Sequence, residues 1–242
     1  MKKLLIPFFL ILCLQLGYSQ KLPFEETKKD KSLEHKLLLG FTFSWYRTTI
    51  QGDNLPNDYF GKQSLGLQFN IEYYFLPFLG LGLGAGYQQR GTGIKTNSVP
   101  VSGATPDSTY RRRLRFNTIE FPISLLIRTP KDVIKGIRLS GSASIVPLIN
   151  LNSRDVFLVL EPTIADVSKT QNVSADYFKQ DMLAQFTAGP EFDFGGSGIF
   201  KVHFTYAQGT NNVFAVNKGI GYNYSTGIRI TWLFGKLSYP RP

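Results

Sequence analysis

Cysteine is almost missing from this chain of 242 residues: there is one, Cys13, and it lies in the N-terminal leader. Lys2 and Lys3 precede a short apolar run from Leu4 to Leu14, and Gly17 and Ser19 suit a signal-peptidase site, so cleavage after Ser19 is expected. The mature chain then carries no disulfide and no thiolate chemistry. A lipid anchor on Cys13 is excluded, because Leu12 precedes it where a small residue is needed. Histidine is scarce as well, at two, so a transition-metal site has few ligands to draw on, and neither a metal nor a cofactor is expected. Long apolar runs are also lacking. No stretch reaches the roughly 18 consecutive apolar residues that a transmembrane helix needs. Negative charge is in the minority, with 17 Asp and Glu against 27 Lys and Arg, a formal charge of +10. For an exported basic chain that balance points to anionic lipid or lipopolysaccharide phosphate as partner rather than nucleic acid.

What is present is alternation. From Lys62 to Arg90, Leu65, Leu67, Phe69, Ile71, Tyr73 and Phe75 take every second place, and after Pro77 the pattern restarts with Leu79, Leu81, Leu83, Ala85 and Tyr87. Two strands joined by a tight turn follow, each longer than the roughly 9–11 residues of a tilted bilayer crossing. The same period marks a strand beginning at His35, one from Tyr110 to Ile127, one from Ile137 to Ile149, and three more at 181–194, 199–208 and 220–234. Between them, 49–61, 91–109, 150–180 and 209–219 read as loops, and the connections at 76–78, 128–136 and 195–198 as turns. In the fourth strand the apolar phase slips, since Leu114 and Phe116 are even while Ile119 to Ile127 are odd; a bulge near Asn117, or an upper part clear of the membrane, accounts for it. Val156 to Leu160, inside the longest connection, extends a strand or caps the barrel.

Eight strands with alternating long and short connections predict an all-β fold, an eight-stranded antiparallel transmembrane β-barrel of the outer-membrane type. Its apolar face ends in aromatics such as Trp45, Tyr87, Tyr206 and Trp232, as an interfacial girdle requires. Hydrocarbon leaves no backbone group unpaired, so the last strand must meet the first. The expected organisation is a signal peptide at 1–19, a periplasmic lead-in at 20–34, the barrel at 35–234 and a tail at 235–242, with both termini periplasmic.

An eight-stranded interior holds side chains and little else. Glu72, Arg90, Glu120, Arg138, Glu191, Asp193, Lys201 and Arg229 are therefore expected to form a lumen charge network, with Arg115 also read as inward. The alternating Gly80, Gly82, Gly84 and Gly86 should face the same lumen and make room for arms such as Arg138, Arg229 and Glu191. Arg111, Arg112, Arg113 and Arg115, at the outer end of the fourth strand, are candidates for contact with lipid phosphate. His203 and Thr205 have the spacing of a strand-borne catalytic pair, but the hydroxyl belongs to threonine and both residues face the lumen, so no catalytic residue is assigned.

The segment GLGLGAGYQQRGTG, then a long loop and FNTIEFPISLLIR, resembles the PorT-type outer-membrane β-barrel family through Tyr87, Arg90, Gly91, Ile119, Glu120 and Pro122. The resemblance implies an outer-membrane barrel; the name-giving member is associated with type IX secretion and gliding. The function expected is a structural or interaction role, without enzymatic activity, in which the extracellular loops form the contact surface. An accessory part of a secretion apparatus and a lipid A-modifying enzyme are the alternatives. Outer-membrane lipid, lipopolysaccharide and other envelope or secretion proteins are the partners such a role implies.

Overall fold

The computed structural model describes residues 36–53, 58–95, 109–129, 133, 136–160, 168–173, 177, 179–194, 198–214 and 220–238. The expected leader, lead-in and C-terminal residues 239–242 lie outside the described residues. Ten strands result: β1 Lys36–Asp53, β2 Asp58–Leu76, β3 Leu79–Lys95, β4 Thr109–Glu120, β5 Ile123–Arg128, β6 Ile137–Leu160, β7 Ser168–Asn172, β8 Gln180–Asp193, β9 Ile199–Gly209 and β10 Ile220–Ser238. The hydrogen-bonded order β2–β1–β10–β9–β8–β6–β4–β3, with β2 also paired to β3, closes the sheet on itself. The closing ladder runs antiparallel from Lys36↔Ser238 to Asp53↔Ile220. β5 continues β4 between β3 and β6, so the barrel has eight staves. β7 is a short addition to the outer end of β6.

The break between β4 and β5 has a local cause. Pro122 has no N–H to give to a ladder. The chain bridges it from both sides: Phe121 N–H donates to Pro147 O at 2.9 Å, and Gly84 N–H donates to Pro122 O at 3.0 Å.

Alternation sorts the side chains as membrane solvation demands. Phe43, Trp45, Leu67, Leu83, Ile123 and Phe204 are exposed, while Thr42, Ser44, Gln88, Ser144, Thr187 and Thr231 are buried inside. Aromatics gather at both margins of the apolar band. Tyr206 and Tyr224 pack edge-to-face at 5.4 Å toward the loop ends, and Trp232 lies 5.7 Å from Phe200 and 6.1 Å from Phe194 toward the turn ends.

The structure sharpens or corrects the sequence reading in several places. In the fourth strand a bulge does not explain the even phase of Leu114 and Phe116; the other reading, an upper part clear of the membrane, fits instead. Leu114 and Phe116 hold the same inward parity as Thr118 and Glu120 and are buried. A bulge does occur at this level, but the extra residue is Leu151 on β6, opposite Asn117 and Thr118. Next, several stretches read as loop are strand: β1 runs to Asp53, β3 to Lys95 and β6 to Leu160, so Val156 to Leu160 extends a strand. Arg115, read as inward, stands on the outward parity of β4 opposite the exposed Arg154. Finally, Arg128, assigned to a turn, closes β5 with its side chain buried in the lumen.

The glycine row of β3 does face inward. A Cβ on Gly82 would meet Ser124 and Leu126, and one on Gly84 would meet Gln68, Asn70 and Pro122. The room is taken by these neighbours rather than by the long charged arms.

Candidate functional site

The lumen is built in layers. At the turn end, Leu38, Tyr74, Leu126, Ile199 and Leu233 form an apolar plug. Immediately against it lies an ionic layer from four staves. Lys201 Nζ donates to Glu72 Oε2 at 2.6 Å and to the Tyr74 hydroxyl at 3.0 Å, and it stands 3.5 Å from Glu191 Oε2. Tyr74 donates its own hydroxyl proton to Glu72 Oε2 at 3.0 Å. Arg128 Nη1 pairs with Glu191 Oε1 at 3.3 Å, its Nε donates to Pro77 O at 2.7 Å, and its guanidinium lies 3.8 Å from the Tyr74 ring centroid. Arg138 is buried opposite Glu191 in the β6–β8 ladder. Asp193 is half-buried at the end of β8.

The middle layer is uncharged apart from Arg229, which donates to Gln185 at 2.9 Å and Gln68 at 3.1 Å. Thr42 bonds Thr231 at 2.6 Å, and Asn70 donates to Thr42 at 2.6 Å. A cavity of about 40 Å³ lies between Glu72, Ser142, Lys201, His203 and Arg229, room for one or two waters. Above it Arg90 Nε donates to Glu120 Oε1 at 2.6 Å and Nη1 to Ser225 at 3.0 Å. Asn223 donates to Asp181 at 2.7 Å in the same layer.

The loop end closes with a second apolar plug. Ile50, Ile94, Leu114, Phe116, Val213 and Phe214 are buried together, with Tyr59 and Tyr177 packed on them. Tyr177 stacks edge-on to Phe116 at 5.0 Å and lies 5.8 Å from Phe214. The even parity of Leu114 and Phe116 was the visible sign of this plug.

His203 bonds Ser140 through Nε2 at 2.8 Å and Thr187 through Nδ1 at 3.2 Å. A serine beside a histidine has the outline of a nucleophile and its base. The ring's other nitrogen meets a hydroxyl rather than a carboxylate, and both groups are buried in the sealed lumen. Among the described residues no group of three or more His, Cys, Asp or Glu could hold a metal ion.

Of the expected lumen charges, the structure joins Glu72, Glu191 and Lys201 in one layer and Arg90 with Glu120 in another. Arg229 bonds amides instead of a carboxylate. Arg128 and Tyr74 complete the first layer; Arg128 was missed because the apolar alternation stops at Ile127, although its even number continues the inward row. Of the candidate phosphate contacts, Arg113 and Arg115 are half-buried on the outside of β4. Arg111 and Arg112 continue that strand, and their side chains lie outside the described residues.

Against known proteins, a family described as outer membrane protein beta-barrel domain matches residues 18–237. No curated protein sequence matches the chain. Among solved structures, Ail of Yersinia pestis, crystallised with the heparin analogue sucrose octasulfate, is 11% identical, with 84% of this chain and 100% of that one covered at a TM-score of 0.38. OprG from Pseudomonas aeruginosa is 11% identical, covering 83% and 95% at 0.42. The outer membrane protease OmpT from Escherichia coli is 13% identical, covering 85% and 100% at 0.39. Likenesses this distant carry no argument about activity.

Proposed function

This chain belongs to the outer membrane protein beta-barrel domain family, and from that membership we propose a closed, non-catalytic barrel that works by contact. Its leader, residues 1–19, is removed on export, both ends of the barrel face the periplasm, and its outward face meets outer-membrane lipid and lipopolysaccharide. The strands that rise past the apolar band, with the loops they carry, form the surface for other envelope proteins. One observation carries the reading: two ionic layers cross the lumen, Lys201 to Glu72 at 2.6 Å and Arg90 to Glu120 at 2.6 Å, with about 40 Å³ free between them. A solute path needs a continuous opening, and an enzyme needs a reachable nucleophile; both are opposed by this packing. The test has two arms. Planar-bilayer recording of the full-length protein should give no steady conductance, and in-membrane crosslinking followed by affinity purification should return a reproducible set of envelope proteins. A steady open channel, or recovery of the barrel alone, overturns the reading.

Within the family we assign the chain to the PorT-type branch, supported by the Tyr87, Arg90, Gly91, Glu120 and Pro122 pattern. A second reading, an accessory part of a type IX secretion or gliding apparatus, rests on that assignment. Deletion of the gene with assay of exported protein separates it, since only an apparatus part should lower export. A lipid A-modifying activity is opposed by the burial of His203, and mass spectrometry of lipid A from a deletion strain should show no change.

A further inference from the structure

Above the apolar band the outside of the barrel is not uniform. Arg47 on β1, Lys62 on β2, Arg113 and Arg115 on β4 and Arg154 on β6 lie on one side of the barrel, with β3 between β2 and β4, just beyond Trp45, Leu65, Tyr87 and Asn117. Arg115 and Arg154 are direct cross-strand partners. Like charges placed opposite one another in a ladder repel. The charges that bear on Lys62 are Arg115 and Arg113. Lys62 Nζ and Arg115 Nε are buried and have no hydrogen-bond partner, and no carboxylate of the described residues is ion-paired to any of the five. Buried cationic atoms without partners are rare, because desolvation without compensation is costly.

The opposite wall differs. The outer parts of β8, β9 and β10 present Met182, Tyr206, Gln208, Tyr222 and Tyr224, and Lys179 just before β8 is the cation of that side among the described residues. The cationic patch is therefore one-sided, unlike a general interfacial girdle. It also has breadth. From β1 to β6 it spans four strand spacings, about 19 Å at roughly 4.8 Å each, which is wider than one phosphate group.

We propose that this patch is a binding site for an outer-leaflet lipid whose headgroup carries two phosphates, as the glycolipid of an outer membrane does. Guanidinium forks suit phosphate oxygens in paired geometry, and Trp45 and Tyr87 stand at the depth where acyl chains meet headgroup. One phosphate settles between Arg115 and Arg154 and supplies the counter-charge that their ladder position lacks. Lys62 and Arg113 complete the coordination, and Arg47 takes the far end of the headgroup. The inference rests on the outer-membrane reading above.

Native mass spectrometry of the full-length protein in detergent tests it, with bisphosphorylated lipid A, monophosphorylated lipid A, dephosphorylated lipid A and inorganic phosphate as probes. Bisphosphorylated lipid A should bind at one copy per barrel, and at least tenfold more tightly than the dephosphorylated form. Arg115→Gln with Arg154→Gln should weaken it tenfold or more, Lys62→Gln severalfold, and Lys179→Gln not at all. Raising the salt concentration should weaken binding to the unmodified protein and have less effect on the double variant. Equal binding of dephosphorylated lipid A, equal loss in Lys179→Gln, or inorganic phosphate competing at comparable concentration overturns the proposal. Heat-modifiable migration on gels reports the folded barrel for each variant. Should the double variant not fold, Lys62→Gln decides by the same criterion. Loss of heat-modifiability in the unmodified protein would count against the barrel reading instead, so the two failures are distinct.

Discussion

Replacing Lys201 by Met removes the cation on which the lower ionic layer turns. Lys201 stands 2.6 Å from Glu72 and 3.5 Å from Glu191. With an effective dielectric near 20, those contacts are gross attractions of about 6 and about 5 kcal/mol. Most of that is offset by the cost of taking the ions out of water, but removing one partner leaves the rest of the cost unrelieved. Glu191 keeps Arg128 at 3.3 Å. Among the described residues, Glu72 keeps the Tyr74 hydroxyl alone. The expected loss is therefore the 3–5 kcal/mol typical of a broken buried pair, and it should come from Glu72. Adding Glu72→Gln to Lys201→Met restores the charge balance and should recover all but about 1–2 kcal/mol, because an amide still accepts from Tyr74. The assay is urea unfolding of the barrel inserted in lipid vesicles, followed by the fluorescence of Trp45 and Trp232, the two tryptophans of the sequence, both exposed on the apolar band. A single variant within about 1 kcal/mol of the parent, or a double variant no more stable than the single, would refute the reasoning, because the burial of Glu72 would then carry no charge cost.

In lipid-free detergent, Lys62→Met should raise the unfolding temperature at pH 7. Burial first, then Arg115 and Arg113, brings Lys62 from 10.5 to about 8, and the charged groups that bear on it, Arg115 and Arg113 from β4, include no carboxylate. The charged form is therefore disfavoured in the folded state, and parent stability should rise between about pH 8 and pH 10 as the folded protein binds fewer protons than the unfolded one. The advantage of the variant should fade over that window in thermal melts, and should stay near or below about 1 kcal/mol, since solvent still reaches the side chain. Gly91→Ala should destabilise by about 1–3 kcal/mol in the urea assay, because Gly91 has φ +140° and a Cβ would collide with Leu114 O. Phe116→Ala should cost about 3–5 kcal/mol by opening the upper plug, yet leave bilayer conductance near zero, because Arg90 and Glu120 still close the lumen below it.

The staves of the barrel were legible because lipid and lumen impose opposite polarities at a spacing of two residues, a rule that needs no knowledge of distant neighbours. Strand ends were not legible. β1, β3 and β6 run on to Asp53, Lys95 and Leu160, past the apolar band, where neither face has to be apolar, so the alternation that marks a strand disappears while its ladder continues. Arg128 was lost at such an end. Leu114 and Phe116 left two readings open for the converse reason: once the strand leaves the membrane, an apolar side chain belongs inside, and the rule inverts. The pairings within the lumen were out of reach, because parity says that Lys201 and Glu72 are inward but says nothing about which staves face each other across the barrel. The motif behind the PorT-type resemblance proves to be architecture in this chain. Arg90 and Glu120 are an ion pair, Tyr87 donates to Asn117 at 2.7 Å, Gly91 allows close strand contact and Pro122 breaks a strand.

The lower layer draws Glu72 from the second stave and Lys201 from the seventh, 129 residues apart, and the Arg90 to Ser225 bond spans 135. A sheet that is still open can join Arg90 to Glu120 and Lys201 to Glu191 on neighbouring staves, but it leaves Glu72 without Lys201 and Arg90 without Ser225 until the first and last strands meet. Both layers are then completed in one event, and each is shut behind an apolar cap. The interior thus behaves as a latch that engages only on completion. Partially zipped barrels gain only the pairs between neighbouring staves, and a finished barrel must break the cross-lumen bonds of both layers before its first and last strands can part. Much of its persistence in the membrane should accordingly appear as a slow rate of opening rather than as a rapid rate of assembly.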